Sequence, residues 1–258
     1  MICSANSNIG MKRTLNEDTV IVKKYTEKTC LCVVCDGMGG ANAGEEASSL
    51  AAKTFVKVID NFLVPYIGSK EKSFRASDVK RVMSEALYKA NERVYKRAKG
   101  NPDLQGMGTT IVAALIINKT VFCLNVGDSR LYILNGTRIK QVTKDHSYVQ
   151  YLIDLGRITP EEAETSANKN IITRAVGTEQ SVRPDIFVDE VEDGSFLLLC
   201  SDGLYNFVDE AAMCDIVSSD PSSRRIDQIE LDKKTRRLID TANNNGGLDN
   251  ITVAVVKI

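Results

Sequence analysis

The sequence predicts an α+β fold in which antiparallel sheets pack against each other with helices outside. Apolar runs separated by short turns, two long amphipathic helices in direct succession, and the lack of any repeat at roughly 20 to 50 residues carry that prediction. The stretch LCVVCDGMGG at 31–40 reads as a buried strand running into one carboxylate and a glycine loop, with a helix to follow from about Ala43 to Phe62. A second helix takes Ser77 as its cap. In it Val79, Val82, Met83, Ala86, Leu87, Ala90, Val94 and Ala98 recur at helical spacing until Gly100 and Pro102 end it. Two such helices in sequence predict an antiparallel pair. Strands follow at 110–117, 120–126, 130–134 and 138–142, the last two joined by Asn135-Gly136 as a hairpin. Residues 145–180 break the pattern with a short helix closing at Gly156 and another capped by Thr159 with Pro160 in its first position, a surface excursion of small helices. A strand at 196–200, helices near 209–218 and 224–242, and a final strand after GGLDN close the chain. No stretch is rich in Pro, Gly or Ser, so residues 1–258 are expected to form one domain.

Composition excludes several classes of partner. Lys and Arg number 33 against 34 acids, so no bulk positive charge advertises nucleic acid or an anionic membrane. No apolar run reaches the roughly 20 residues that span a bilayer, and the first residues lack the pattern of a signal peptide. A soluble cytoplasmic protein is the expectation. Seven cysteines fit free thiols in a reducing compartment. Cys30, Cys32 and Cys35 do not converge on one ion, because in an extended strand the first two face one way and the third the other.

The chemistry lies in acids at strand ends. LCVVCDG ends in Asp36, LLLCSDG in Asp202 and CLNVGDS in Asp128, while LDNITVAVV begins with Asp249. In an antiparallel sheet one strand's start shares an edge with its neighbour's end, so all four carboxylates could gather at one rim. Any one alone is an ordinary Asp-Gly turn. Together they would repel one another unless a cation sat among them, and a set of hard oxygens points to magnesium or manganese. The glycine loop fits neither a dinucleotide fingerprint nor a Walker loop. RTLNEDT adds Arg13, whose planar fork suits two phosphate oxygens, beside the adjacent carboxylates Glu17 and Asp18. If phosphate is the substrate, a cysteine phosphatase lacks its Arg six positions after any Cys. An aspartyl-phosphate enzyme lacks its D-x-D, and a histidine-rich metallophosphoesterase cannot be built from one histidine. Attack by a metal-activated water remains.

RTLNEDT, VVCDGMGGANAGEEAS, MGTTIVAALI, NVGDSRLYIL, TKDHSYVQYLIDLGRIT, NIITRAVGT, LLLCSDGLYNFV and GGLDNITVAVV occur in this order. The series resembles that of the metal-dependent type 2C (PPM) serine/threonine protein phosphatases, most of all their compact bacterial members, from about Gly10 to Ile258. The resemblance implies a four-layer α-β-β-α sandwich of two antiparallel sheets flanked by helix pairs, with 145–180 as a flap. It implies that Asp36 bridges two manganese or magnesium ions, that the Gly37 carbonyl binds one, and that Asp202 and Asp249 hold the other. Glu17 would reach a metal through water with Asp18 in support, Arg13 would grip the phosphate, and Asp128 would bind a third ion. Phosphorylated proteins and a cognate serine/threonine kinase are the implied partners, met by a monomer. Hydrolysis of small phosphorylated metabolites and a non-catalytic scaffold are the alternatives within this architecture. Two departures stand out: Met38 occupies the place of a histidine that many eukaryotic members use as a candidate acid, and SANKN at 166–170 replaces a common His-Pro. Without that acid, the proton for the leaving oxygen would come from water at the metals. His146 reads as a structural residue.

Overall fold

Strands with apolar side chains on both faces must be covered on both sides, and this requirement organises the molecule. In the computed structural model, which describes residues 1–40, 43–67, 74–218 and 226–258, the chain runs β1 (Ile2–Asn8), β2 (Thr19–Thr26), β3 (Thr29–Cys35), β4 (Gly37–Met38), α1 (Ala43–Leu63), α2 (Ala76–Lys99), β5 (Gly108–Thr109), β6 (Ile111–Ile117) and β7 (Thr120–Val126). It continues with β8 (Arg130–Asn135), β9 (Arg138–Gln141), α3 (Tyr148–Asp154), α4 (Pro160–Glu164), β10 (Asp185–Glu190), β11 (Phe196–Cys200), α5 (Asp202–Tyr205), α6 (Glu210–Ser218), α7 (Gln228–Asn244) and β12 (Ile251–Lys257). One five-stranded sheet has the order β1-β12-β11-β8-β9, the other β10-β7-β6-β3-β2, and β4 and β5 form a short ribbon. Every described strand pairing is antiparallel.

Three apolar cores separate four layers. Leu31, Val33 and Cys35 of β3 pack with Phe55, Ile59, Met83 and Leu87 of α1 and α2. Cys30, Cys32 and Val34, on the opposite face of the same strand, meet Leu197, Leu199, Ala254 and Val256 of the second sheet. The outer face of that sheet carries Leu198, Val253 and Val255 against Met213 and Leu238 of α6 and α7. The alternation divides the cysteines of β3 between two cores as the strand period requires, and all seven are free thiols.

The structure departs from the sequence expectations at element ends and edges. The second helix begins at Ala76 with Arg75 as its cap residue and no side-chain cap bond, so Ser77 lies inside the first turn rather than capping it. Asn135 is the last paired residue of its hairpin, opposite Arg138, which leaves Gly136 and Thr137 as the turn. The helix expected at 224–242 is Gln228–Asn244, started by Asp227, whose side chain accepts from the Glu230 amide; positions 224 and 225 lie outside the described residues. Strands β1, β2 and β10 escaped the pattern because each is a sheet edge whose residues are mostly half-exposed. Among the described residues no helix is long and apolar enough to cross a membrane.

Candidate metal centre

The strand ends arrive together. Asp36 leaves β3, Asp202 opens α5 after β11, and Asp249 precedes β12, which pairs with β11. Burial first, and then the charges of Asp18, Asp202, Asp128 and Asp249, hold the Asp36 pKa well above the ordinary carboxylate value. Burial, then Asp249, raises Asp202 to about 6, while the neighbouring Asp36 and Arg13 oppose the rise. Burial is the leading cause for Asp18 and Asp128 too, each raised to about 7. Glu17 is also raised, by burial first, while the Gly44 amide and Arg13 oppose it. Separate ordinary turns would not share one field.

The backbone around these acids is tightly fixed. Thr110 clamps the Asp36 peptide: its Oγ1 accepts the Asp36 amide at 2.9 Å, and its own amide donates to the Asp36 carbonyl at 2.8 Å. The same Oγ1 lies 2.7 Å from Ser129 Oγ, which ties the Asp36 turn to the residue after Asp128. A Cβ on Gly37 would lie 2.1 Å from the Gly44 carbonyl and 2.5 Å from that of Glu17, so only glycine fits there. Asn250 joins the two ends of the chain. It accepts the Glu17 amide at 2.9 Å and donates to the carbonyls of Ile9 and Leu15, each at 2.9 Å. Arg13 Nη2 binds Asp249 Oδ2 at 2.8 Å, so the expected phosphate clamp stands at the rim of the acid cluster.

The donor set suits a hard cation. Asp18 Oδ2 accepts from Ser201 Oγ at 2.7 Å, yet its Oδ1 is buried without a hydrogen-bond partner. Asp202 likewise takes a bond from Asn206 on Oδ2 and leaves Oδ1 buried and unpartnered. Orphaned carboxylate oxygens among mutually raised acids are costly unless positive charge compensates them, and oxygen-only ligation fits magnesium or manganese. Among the described residues no three acid, cysteine or histidine side chains close into a ready-made cage.

A cleft of about 680 Å³ opens beside these acids, lined by Asp128, Arg130, Asp202, Tyr205 and Val149 and Lys169 of the excursion. Arg130 grips Asp145 with three bonds of 2.7 to 3.1 Å and stacks 3.7 Å over the Tyr205 ring, joining the turn after Asp128 to α5. Another cavity, about 520 Å³, lies among Thr26, Lys28, Asn118 and Phe122 and contains none of the strand-end acids. Met38 pairs with Gly108 in the β4–β5 ribbon and has no proton to give. His146 is buried, with both ring nitrogens engaged by the fold. Sequence reading passed over Thr110, Ser129, Ser201 and Asn250. For Ser129, Ser201 and Asn250 the signal was position, each adjoining a motif acid, whereas Thr110 stands immediately before β6, the strand that pairs with β3.

The protein phosphatase 2C family profile matches residues 15–251. Protein phosphatase PhpP of Streptococcus pneumoniae is 35% identical over 260 residues, covering 100% of this chain and 98% of that one. The S. agalactiae serine/threonine phosphatase structure superposes with a TM-score of 0.85 at 33% identity, covering 99% and 98% of the two chains. The catalytic domain of the serine/threonine protein phosphatase PstP, described in complex with two manganese ions, gives 0.80 at 33% identity over 98% and 96%. With its two stacked sheets, its rim of strand-end acids and this likeness along its whole length, the chain belongs to the protein phosphatase 2C family.

Proposed function

We propose that the chain hydrolyses phosphoserine and phosphothreonine in proteins, in one domain, with divalent metal held by the strand-end acids. The observation that carries this reading is the shared field of Asp36, Asp202, Asp249, Asp18 and Asp128, with Arg13 beside it. Two manganese or magnesium ions held by Asp36, Asp202, Asp249 and the Gly37 carbonyl would supply a nucleophilic water at neutral pH and neutralise phosphoryl charge.

The protein's own groups do the rest. The Asp36 carboxylate faces Asp202, so one acid serves two positions, and Thr110 fixes its backbone from both sides. Arg13 presents a fork for two phosphate oxygens and aligns the phosphoryl group for in-line attack. Glu17 is held by the Gly44 amide at the start of α1 and acts through water, and Asp18, bonded to Ser201, supports it. Asp128, facing the cleft, is assigned to a third ion. We assign the enzyme to a monomer that opposes a serine/threonine kinase.

A substrate panel tests the reading. Metal-stripped protein given manganese should cleave phosphothreonine peptides far faster than phosphotyrosine peptides or small phosphorylated metabolites. Equal or faster turnover of the metabolites would overturn the assignment to protein substrates.

A further inference from the structure

His146 is the only histidine in the chain, and the chemistry above leaves it unused. It is 6% exposed and holds both faces of a single residue. Its Nδ1 accepts the Gly127 amide at 3.1 Å, while its own amide donates to the Gly127 carbonyl at 2.9 Å. Gly127 immediately precedes Asp128. Its φ is +107°, and a Cβ there would lie 2.6 Å from the Thr110 side chain, so the turn admits only glycine. Asn125 Nδ2 adds a bond to the same carbonyl at 3.1 Å.

The far side of the ring decides its tautomer. Nε2 lies 3.2 Å from Asp185 Oδ2 on β10, and Arg174 Nη1 donates to Asp185 Oδ1 at 3.0 Å. A neutral imidazole that accepts at Nδ1 must carry its proton on Nε2, so Asp185 selects the form that Gly127 requires. Arg174 Nη1 also stands 3.0 Å from Nε2, and with the proton there this is a close, unfavourable approach of two donors that the carboxylate they share offsets. Burial keeps the ring neutral by lowering its pKa, which Asp185 opposes and Arg174 reinforces. The His146 carbonyl accepts the Thr173 amide at 2.7 Å, and Ser147 bridges to Ile172, so His146 also closes the base of the excursion.

We propose that His146 is a positioning residue: through Nδ1 it sets the Gly127–Asp128 turn, and through its backbone it couples that turn to the base of the excursion. It touches no reacting atom. Its effect on metal binding rests on the reading of Asp128 as a third-ion ligand, whereas the hold on Gly127 stands without it.

The two amide isosteres separate this role from bulk packing. His146→Asn keeps an acceptor where Nδ1 stands, while His146→Gln places its amide near Nε2 and leaves the Gly127 amide unpaired. In metal-free full-length protein, amide hydrogen exchange at Gly127 should accelerate about tenfold in the Gln variant and only about twofold in the Asn variant. Manganese calorimetry should show the weakest site losing about tenfold in affinity in the Gln variant and little in the Asn variant. Equal protection of Gly127 in the two variants would overturn the proposal. Should His146→Gln fail to fold, Asp185→Leu removes the tautomer's partner and leaves His146 in place. It must then accelerate exchange at Gly127, and unchanged exchange would overturn the proposal. If Asp128→Asn alters no manganese site, the third-ion reading fails, while exchange at Gly127 still decides the positioning role.

Discussion

Replacing Asp202 with asparagine should stabilise the metal-free protein while destroying its function. In the fold the carboxyl is held at about 6 against an ordinary value of 3.8, chiefly by burial and by Asp249. A raised acid adds stability that is fully present below its unfolded pKa and is lost as pH rises through the folded one. Asp202 therefore helps the fold at pH 3.5 and burdens it at pH 8. The difference of about two pKa units corresponds to roughly 3 kcal/mol at pH 8, which Asp202→Asn should recover. For a chain of this size that is a rise of about 6–10 °C in Tm. The Asn206 bond to Oδ2 can be kept by the amide oxygen, so the main change is the loss of charge, less the cost of burying an NH2 group where Oδ1 stands unpartnered. The assay is thermal unfolding in chelator at pH 8 and at pH 4, where the gain should shrink. With manganese present the order should reverse, because the wild type gains binding free energy that the variant cannot. A metal-free variant no more stable than wild type at pH 8 would refute the argument that these acids store repulsion for a cation.

Three further perturbations probe separate parts of the site. Arg13→Ala should raise KM for phosphopeptides by about 10- to 100-fold, the worth of a charge-assisted bond pair, and by more than it shifts the manganese concentration for half-maximal rate, since Arg13 also pairs with Asp249; steady-state kinetics over a range of peptide and of manganese would show it. Gly37→Ala forces a Cβ to within 2.1 Å of the Gly44 carbonyl. It should cost about 1–3 kcal/mol in denaturant titration and abolish turnover by displacing the start of α1. Arg130→Ala leaves Asp145, whose side chain is 9% exposed, held by Gln141 but without its cation, and removes the stack on Tyr205. A loss of about 3–5 kcal/mol is expected in equilibrium unfolding.

The acids were legible because each of Asp36, Asp202 and Asp128 ends an apolar run and Asp249 opens one, so the alternation of antiparallel strands puts them at one edge. The central strands were legible for the same reason: burial on both faces leaves a continuous apolar signature. Edge strands leave none. β1 reads ICSANSN and is a strand only because β12 pairs with it along its whole length. The contacts that tune the site were equally hidden, since they join distant residues through single polar atoms. Arg13 reaches Asp249, Asp18 reaches Ser201, and Thr110 reaches Ser129, none of which has a periodic signal. His146 shows the limit most clearly: its structural character was readable, but its bond to Gly127 depends on which ring nitrogen faces the turn.

The central claim is that Asp36 is the acid around which the metals assemble, and manganese titration by calorimetry tests it most directly. Wild-type protein should bind at least two ions, and Asp36→Asn should lose them while keeping its cooperative unfolding transition. Undiminished binding of two ions by a folded Asp36→Asn variant would contradict the account.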